Sequence, residues 1–273
     1  MEDTVEGVGL DAAALPIAGD GAADPTTLPC DYGQAFALLP AALLPERAGG
    51  WRFAMLGGGI GAVARSCAAV CGGSLRSFDS VELSADVIAA ARAHFGLVDT
   101  AVLRTHQAEA AAWLRARPKG ELECLLVDVV ASDAPSDGLQ MPPPLFVDPE
   151  FLAKEVRRVL SPGGIALLNV LGEGQPASRA IGAIDAAFGG QAVALWMDPA
   201  AVCVAFNDPA ATLPTAAECL ARCHALGEAA EVAAPRVIDA LKSSDGLWTT
   251  LKELEASGVM AEFVAPARIG FAW

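Results

Sequence analysis

The 273-residue chain carries 18 Lys and Arg against 33 Asp and Glu, a formal net charge of −15. That balance argues against a nucleic-acid backbone as the main partner, because phosphates are held by Lys and Arg, and leaves a small molecule, a peptide or a basic protein surface. Hydrophobic residues make up 53% and aromatic residues 6%, enough core for one large α/β domain with an appendage, and no apolar run approaches the ~20 residues of a membrane helix.

Residues 1–28 are rich in Ala, Gly, Asp and Thr, with Pro16 and Pro25, and read as a flexible arm. The acidic start Met1–Glu6 has neither a secretory nor a transit pattern. A short helix is expected from Asp31 to Pro40. It would turn Tyr32, the only tyrosine, and Phe36 to one side, where packing on the core is favoured over contact with a cofactor.

Phe53 to Leu56 is a short apolar run suited to a buried parallel strand. It ends in Gly57, Gly58, Gly59 and Gly61, and Ile60 to Val70 reads as a helix. Strand, glycine turn and helix make the first unit of a nucleotide-binding sheet. Gly57-x-Gly59-x-Gly61 followed by Ala62 departs from the dinucleotide pattern G-x-G-x-x-G and lies closer to the G-x-G-x-G of S-adenosylmethionine sites. Ser77 to Leu83 is the second strand. Glu82 stands at its end, at the distance expected of a carboxylate that holds ribose hydroxyls.

Ser84 can cap a helix running to about Phe95, and Ala101 to Thr105 is the third strand. Gln107 follows at a strand end, placed either to hydrogen-bond an adenine edge or, like Glu109, to cap the helix Ala110 to Arg117. Cys124 to Val130 is the fourth strand. A strand covered on both faces should carry no charge, so Asp128 near its end is expected to point into the cleft. The loop Ala131 to Pro144, stiffened by Pro142, Pro143 and Pro144, should shape a substrate pocket.

Phe151 to Leu160 reads as a helix closed by Ser161-Pro-Gly-Gly164, and Ile165 to Val170 as the fifth strand, with Asn169 polar near its carboxyl end. A helix from Ala177 to Phe188 precedes two closely spaced strands, Gln191 to Met197 and Val202 to Asn207, that suggest an antiparallel edge. The tail reads as helices over Ala216 to Val232, Arg236 to Lys242 and Leu247 to Ser257, then a strand over Phe263 to Trp273. The division expected is an arm at 1–28, a cofactor domain at 29–214 and a helical extension at 215–273 that serves as a cap or a dimer surface. The seven cysteines contain no C-x-x-C, and Cys67/Cys71 and Cys219/Cys223 lie four apart. They read as reduced, buried thiols of a cytoplasmic protein rather than as metal ligands.

Leu56-Gly-Gly-Gly-Ile-Gly61, Val81-Glu-Leu83, Val127-Asp128, Ser132-Asp133, Met141-Pro-Pro-Pro-Leu-Phe-Val147 and Leu160-Ser-Pro-Gly-Gly-Ile-Ala-Leu-Leu-Asn169 stand in the order seen in spermidine-synthase-like class I methyltransferases. Over residues 30–232 the chain most resembles the C-terminal domain of the enzymes that methylate elongation factor 1-alpha on lysine or its N-terminus. The resemblance implies a Rossmann-like α/β fold with a doubly wound, seven-stranded, mostly parallel sheet and S-adenosylmethionine as cofactor. It puts Gly57, Gly59 and Gly61 beside the methionine moiety, Glu82 at the ribose, Gln107 near adenine and Asp128 beside the reacting centre, with Leu83 and Ala108 as further cofactor-binding residues. Asp128 and Asp133 become candidate proton acceptors and Asn169 a residue that orients the acceptor nitrogen. The activity expected is methyl transfer to an amine, with a protein, such as a translation factor, favoured as its carrier; no metal site is expected from the sequence. Three features depart from the pattern. Val130 stands where polyamine synthases carry the first carboxylate of D-x-x-D, which argues against aminopropyl transfer; Gln107 replaces the usual adenine-side Asp; and the elongation-factor enzymes carry a second methyltransferase domain for which this chain has no room. Aminopropyl transfer and a non-catalytic, cofactor-binding interaction protein remain as alternatives. A nicotinamide enzyme fits the glycine spacing poorly.

Overall fold

The computed structural model describes residues 28, 30–130, 139–172, 175–197, 200–211, 215–242 and 248–250. The strands are β1 (Trp51–Leu56), β2 (Leu75–Glu82), β3 (Leu103–Gln107), β4 (Leu122–Val127), β5 (Leu139–Met141), β6 (Leu160–Gly172), β7 (Ala192–Met197), β8 (Ala200–Phe206) and β9 (Trp248–Thr250). The helices are α1 (Asp31–Leu43), α2 (Ala62–Cys71), α3 (Ala85–His94), α4 (Ala110–Arg115), α5 (Pro149–Phe151), α6 (Arg157–Val159), α7 (Gln175–Ala187), α8 (Ala216–Ala225), α9 (Glu228–Ala233) and α10 (Pro235–Lys242).

One sheet of nine strands runs in the order β3-β2-β1-β4-β6-β8-β7-β9, with β5 paired to β6 off this path. The first five of that order are mutually parallel, and β8 and β7 are antiparallel to their neighbours. The seven-stranded doubly wound frame expected from the sequence is therefore present, with two short additions. The central strands are apolar on both sides, and their period of two sorts them between two cores. Phe53, Met55, Cys124 and Leu126 pack with α1, α2 and α8 to α10, while Ala54, Leu56, Leu125 and Val127 pack with α4 to α7.

Several boundaries differ from the sequence reading. The third strand starts and ends two residues later than expected, at Leu103–Gln107, so His106 and Gln107 lie within it. Ser161-Pro-Gly-Gly164 does not separate helix from strand. Leu160 already pairs with Leu122, and the four residues form an irregularity before Ile165 pairs with Cys124. The preceding helix is broken by a π turn over Leu152–Val156 between α5 and α6. Arg158 then binds the last carbonyls of α4, donating to Leu114 O at 3.1 Å and Arg115 O at 3.2 Å, and to Arg117 O just beyond it at 2.6 Å. The helix expected over Ala216 to Val232 divides into α8 and α9 at Gly227, whose φ is +76°. Of the helix expected over Leu247 to Ser257, residues 248–250 are instead strand β9, paired with β7. The arm before Leu28, residues 131–138 including Asp133, and the strand expected over Phe263 to Trp273 lie outside the described residues. Among the described residues no helix is long and apolar enough to cross a membrane, and none group as metal ligands.

Candidate active site

The chain leaves β1 toward β2 and β3 on one side and crosses to β4 on the other, so a crevice opens above the carboxyl ends of β1 and β4. The glycine turn forms its floor. The N–H groups of Gly57 and Gly58 both donate to Val81 O at 2.9 Å. Gly57 has φ +83°, and a Cβ there would stand 2.2 Å from Asp128 O, so the turn presses directly on the end of β4. Gly61, at φ +77°, caps α2, and a Cβ there would meet Leu97 at 2.6 Å.

Glu82 is fixed by two backbone donors, Gly59 N–H to Oε2 and Ser84 N–H to Oε1, each at 2.9 Å. A carboxylate has about four lone-pair sites, so acceptor capacity remains on both oxygens. Ser84 also accepts from Val87 N–H at 3.2 Å, the cap expected of it. Leu83 follows with 67% of its surface exposed. Gln107 pairs in register with Glu82 and is exposed, and Ala108 N–H donates to Glu82 O at 3.0 Å. The helix cap is Glu109, which accepts from Ala111 and Ala112 at 2.8 and 2.6 Å. That leaves Gln107 free to line, with Ala85, Ile88, Arg92 and Thr105, a pocket of about 250 Å³ beside the crevice.

Asp128 follows β4, anchored by its N–H to Leu56 O at 2.8 Å. Asn169 Nδ2, in the buried middle of the neighbouring strand β6, donates to its Oδ1 at 2.9 Å. The Tyr32 hydroxyl stands close to the same carboxylate and to the Cys30 thiol. Burial pushes the Asp128 carboxyl up from 3.8 to about 6, against the two donors that favour its charged form. Burial and the adjacent Asp128 hold the Tyr32 phenol well above its usual range, so it stays protonated and donates. Asn169 is 1% exposed, and its Oδ1 has no partner among the described residues. Met141, at the end of β5, brings its Sδ to 3.9 Å from Asn169 Nδ2, which sets the start of the proline loop over Asn169. Val130 projects at the mouth with 66% of its surface exposed.

The structure thus brings Gly57, Gly59, Gly61, Glu82, Asp128 and Asn169 to one crevice, with Leu83, Gln107 and Ala108 at its edge. It adds Tyr32, which the sequence reading assigned to packing. Tyr32 does pack edge-on against Phe36 at 6.0 Å, but its hydroxyl also lies close to Asp128. The position at the start of α1 carried no pattern that would have revealed this. Gly59 has φ +50°, and a Cβ there would meet nothing within 4 Å, so the space above the turn is open. An open backbone turn, a fixed carboxylate and an exposed leucine suit a nucleoside with an apolar base and a diol. Beside it stands a carboxylate able to take a proton near neutral pH.

No protein-family model matches the chain, and no curated protein matches it significantly. Solved structures do. A probable spermidine synthase from Corynebacterium glutamicum has 16% identity and a TM-score of 0.63, over 93% of this chain and 85% of that one. Human methyltransferase-like protein 13, solved in complex with SAH, has 22% identity and a TM-score of 0.58, over 77% of this chain and 93% of that one. A spermidine synthase in complex with the transition-state analogue AdoDATO has 18% identity and a TM-score of 0.61, over 84% of this chain and 75% of that one. At these identities the likeness is one of fold: the chain has the Rossmann-like fold of class I methyltransferases.

Proposed function

We propose that the protein is an S-adenosylmethionine-dependent methyltransferase that acts on an amine of a protein, a lysine or an N-terminus. The observation that carries this reading is Asp128: a carboxylate at the end of β4, between Asn169 and Tyr32, its proton affinity raised to about 6, against the glycine turn whose Glu82 is held ready for a diol. Gly57, Gly59 and Gly61 would cradle the methionine part of the cofactor, Glu82 its ribose, and Leu83, Gln107 and Ala108 its adenine. Bound there, the cofactor supplies a methyl group on a positive sulfonium, open to in-line displacement.

The chain's own contribution is position and a proton acceptor. An amine arrives as an ammonium ion and must lose a proton before it can attack. Asp128, ionised above about pH 6, accepts that proton at a carboxylate oxygen. Asn169 holds the carboxylate through Nδ2 and would offer its Oδ1, unpartnered among the described residues, to a second N–H of the acceptor. The buried Pro142 and the exposed Leu145 shape the acceptor side of the crevice, and Asp133 is a second candidate acceptor of the proton. The acidic surface suits a basic protein such as a translation factor, and seven unpaired cysteines, six of them buried, suit the cytoplasm.

Aminopropyl transfer is kept as a second reading because two of the similar structures are spermidine synthases. Val130, in place of a carboxylate at the mouth, weighs against it. Calorimetric titration with S-adenosylhomocysteine, S-adenosylmethionine and decarboxylated S-adenosylmethionine separates these. Tight binding of the first two, followed by transfer of radiolabelled methyl to protein in cell extract, is the expected result. Preference for the decarboxylated form, with turnover of putrescine, would move the assignment to aminopropyl transfer. Binding of none would sink both.

A further inference from the structure

The helices after β8 do more than cover one face of the sheet. α10 buries Val237, Ile238 and Leu241 in the same core as Phe36 and Leu39 of α1, and two polar links tie its start to the start of α1. The first is buried. Gln34, 3% exposed, donates through Nε2 to Leu28 O at 2.9 Å and accepts at Oε1 from Arg236 N–H at 3.0 Å. Arg236 is the second residue of α10, where a helix has no internal partner for its N–H. The Gln34 side chain satisfies that donor and at the same time fixes the chain entering α1. The second link is at the surface, where Arg236 Nη1 meets Asp31 Oδ1 at 2.7 Å. Asp31 precedes Tyr32, and Gln34 lies two residues beyond it.

We infer that Gln34 and Arg236 are positioning residues that latch α10 onto the first turn of α1 and so keep the Tyr32 hydroxyl beside Asp128. The inference rests on the reading of Asp128 as the reacting carboxylate, and it makes α10 part of the active site's support. It also explains why a buried amide is retained on a helix face that is otherwise apolar. Gln34 sits among Phe36, Leu38 and Leu39, all fully buried, where an apolar side chain would fill the space but leave Leu28 O and Arg236 N–H without partners.

The test follows the ionisation of Asp128 itself, by NMR of protein labelled with carbon-13 at the aspartate carboxyls, with the signal assigned from Asp128→Asn. It uses the whole chain and needs neither cofactor nor acceptor, so its outcome is independent of whether methyl transfer is the right reaction. Among the described residues the titratable groups facing Asp128 are Tyr32 and Cys30, both on the segment that the latch holds. Tyr32→Phe removes a donor to the charged form and should raise the Asp128 midpoint by about one pH unit. Gln34→Leu should raise it in the same direction, and Gln34→Leu with Tyr32→Phe no further than Tyr32→Phe alone. Arg236→Ala, which breaks only the surface link, should give a smaller rise that Arg236→Lys reverses. A purely structural role would lower the amount of folded protein and leave the midpoint in place. An unchanged midpoint in Arg236→Ala and in folded Gln34→Leu, while Tyr32→Phe moves it, overturns the latch. So does a Tyr32→Phe variant with no shift. If Gln34→Leu does not fold, Arg236→Ala decides alone.

Discussion

Replacing Asp128 by asparagine should make the protein inactive and, at neutral pH, more stable. Burial raises the Asp128 carboxyl from 3.8 to about 6 in the folded protein. Between those values the native state holds more protons than the unfolded state, so stability falls as pH rises through that window and the full penalty is present above pH 6. At 1.36 kcal/mol per pH unit the penalty is about 3 kcal/mol at pH 8 and about 1.5 kcal/mol at pH 5. Asparagine has no such dependence. It keeps an acceptor for Asn169 Nδ2, but its amide can meet the Tyr32 hydroxyl less well, a loss of about 1 kcal/mol that does not change with pH. The gain of Asp128→Asn over the unchanged protein should therefore grow by about 1.5 kcal/mol from pH 5 to pH 8. Urea unfolding, followed by the fluorescence of the five tryptophans, measures this directly if both proteins are compared at each pH. A difference that stays constant over this range would refute the assignment of a raised carboxyl. A variant that keeps its turnover would refute the role given to it.

Glu82→Ala should weaken S-adenosylhomocysteine binding by about 10- to 100-fold in calorimetry, because two charge-assisted contacts to a ligand diol are lost, with the fold retained in circular dichroism. Gly57→Ala should fail more broadly: a Cβ at 2.2 Å from Asp128 O forces the turn away from β4, and both the melting temperature and ligand binding should fall. Glu123→Ala should lower stability by about 2 kcal/mol, less than a fully enclosed pair because its arginine partners are part-exposed, without changing ligand affinity. Its chemical denaturation midpoint and its binding constant separate the two effects.

The parts legible in the sequence are those that local pattern dictates. Apolar runs such as Phe53–Leu56 and Cys124–Val127 have few alternatives to a buried strand. A glycine turn followed at strand distance by Glu82 is a spacing, and Ser84 is a cap of ordinary kind. Contacts made across the fold were not legible. Tyr32 sits at the start of a helix far in sequence from Asp128, so nothing adjacent to it announces a polar partner. Trp248-Thr-Thr250 was absorbed into a helix by the Leu, Lys and Glu that follow. An aromatic beside two threonines is itself a strand signal, and the exposed edge of β7 decides for it. Ser161-Pro-Gly-Gly164 reads as a break because Pro and Gly end most elements, yet the ladder continues on both sides of it. Gly227, at φ +76°, divides one apolar pattern into two helices.

The two ends of β4 hold their carboxylates in opposite ways, and the difference bears on the role proposed for Asp128. Glu123, near the start of the strand, is 3% exposed and accepts from the Arg52 N–H at 2.7 Å while two guanidiniums, Arg47 and Arg52, close on it. Two cations compensate its burial. Asp128, just past the end of the same strand, faces among the described residues only neutral groups, the Asn169 amide that donates to it and the nearby Tyr32 phenol. Hydrogen bonds without positive charge hold a carboxylate in place but do not restore the solvation it has lost, so its affinity for a proton stays raised. A nearby arginine would have erased that. The role proposed for Asp128 therefore calls for rigid neutral groups beside it. The strand that carries Asn169 supplies one, and the helix that carries Tyr32 supplies the other.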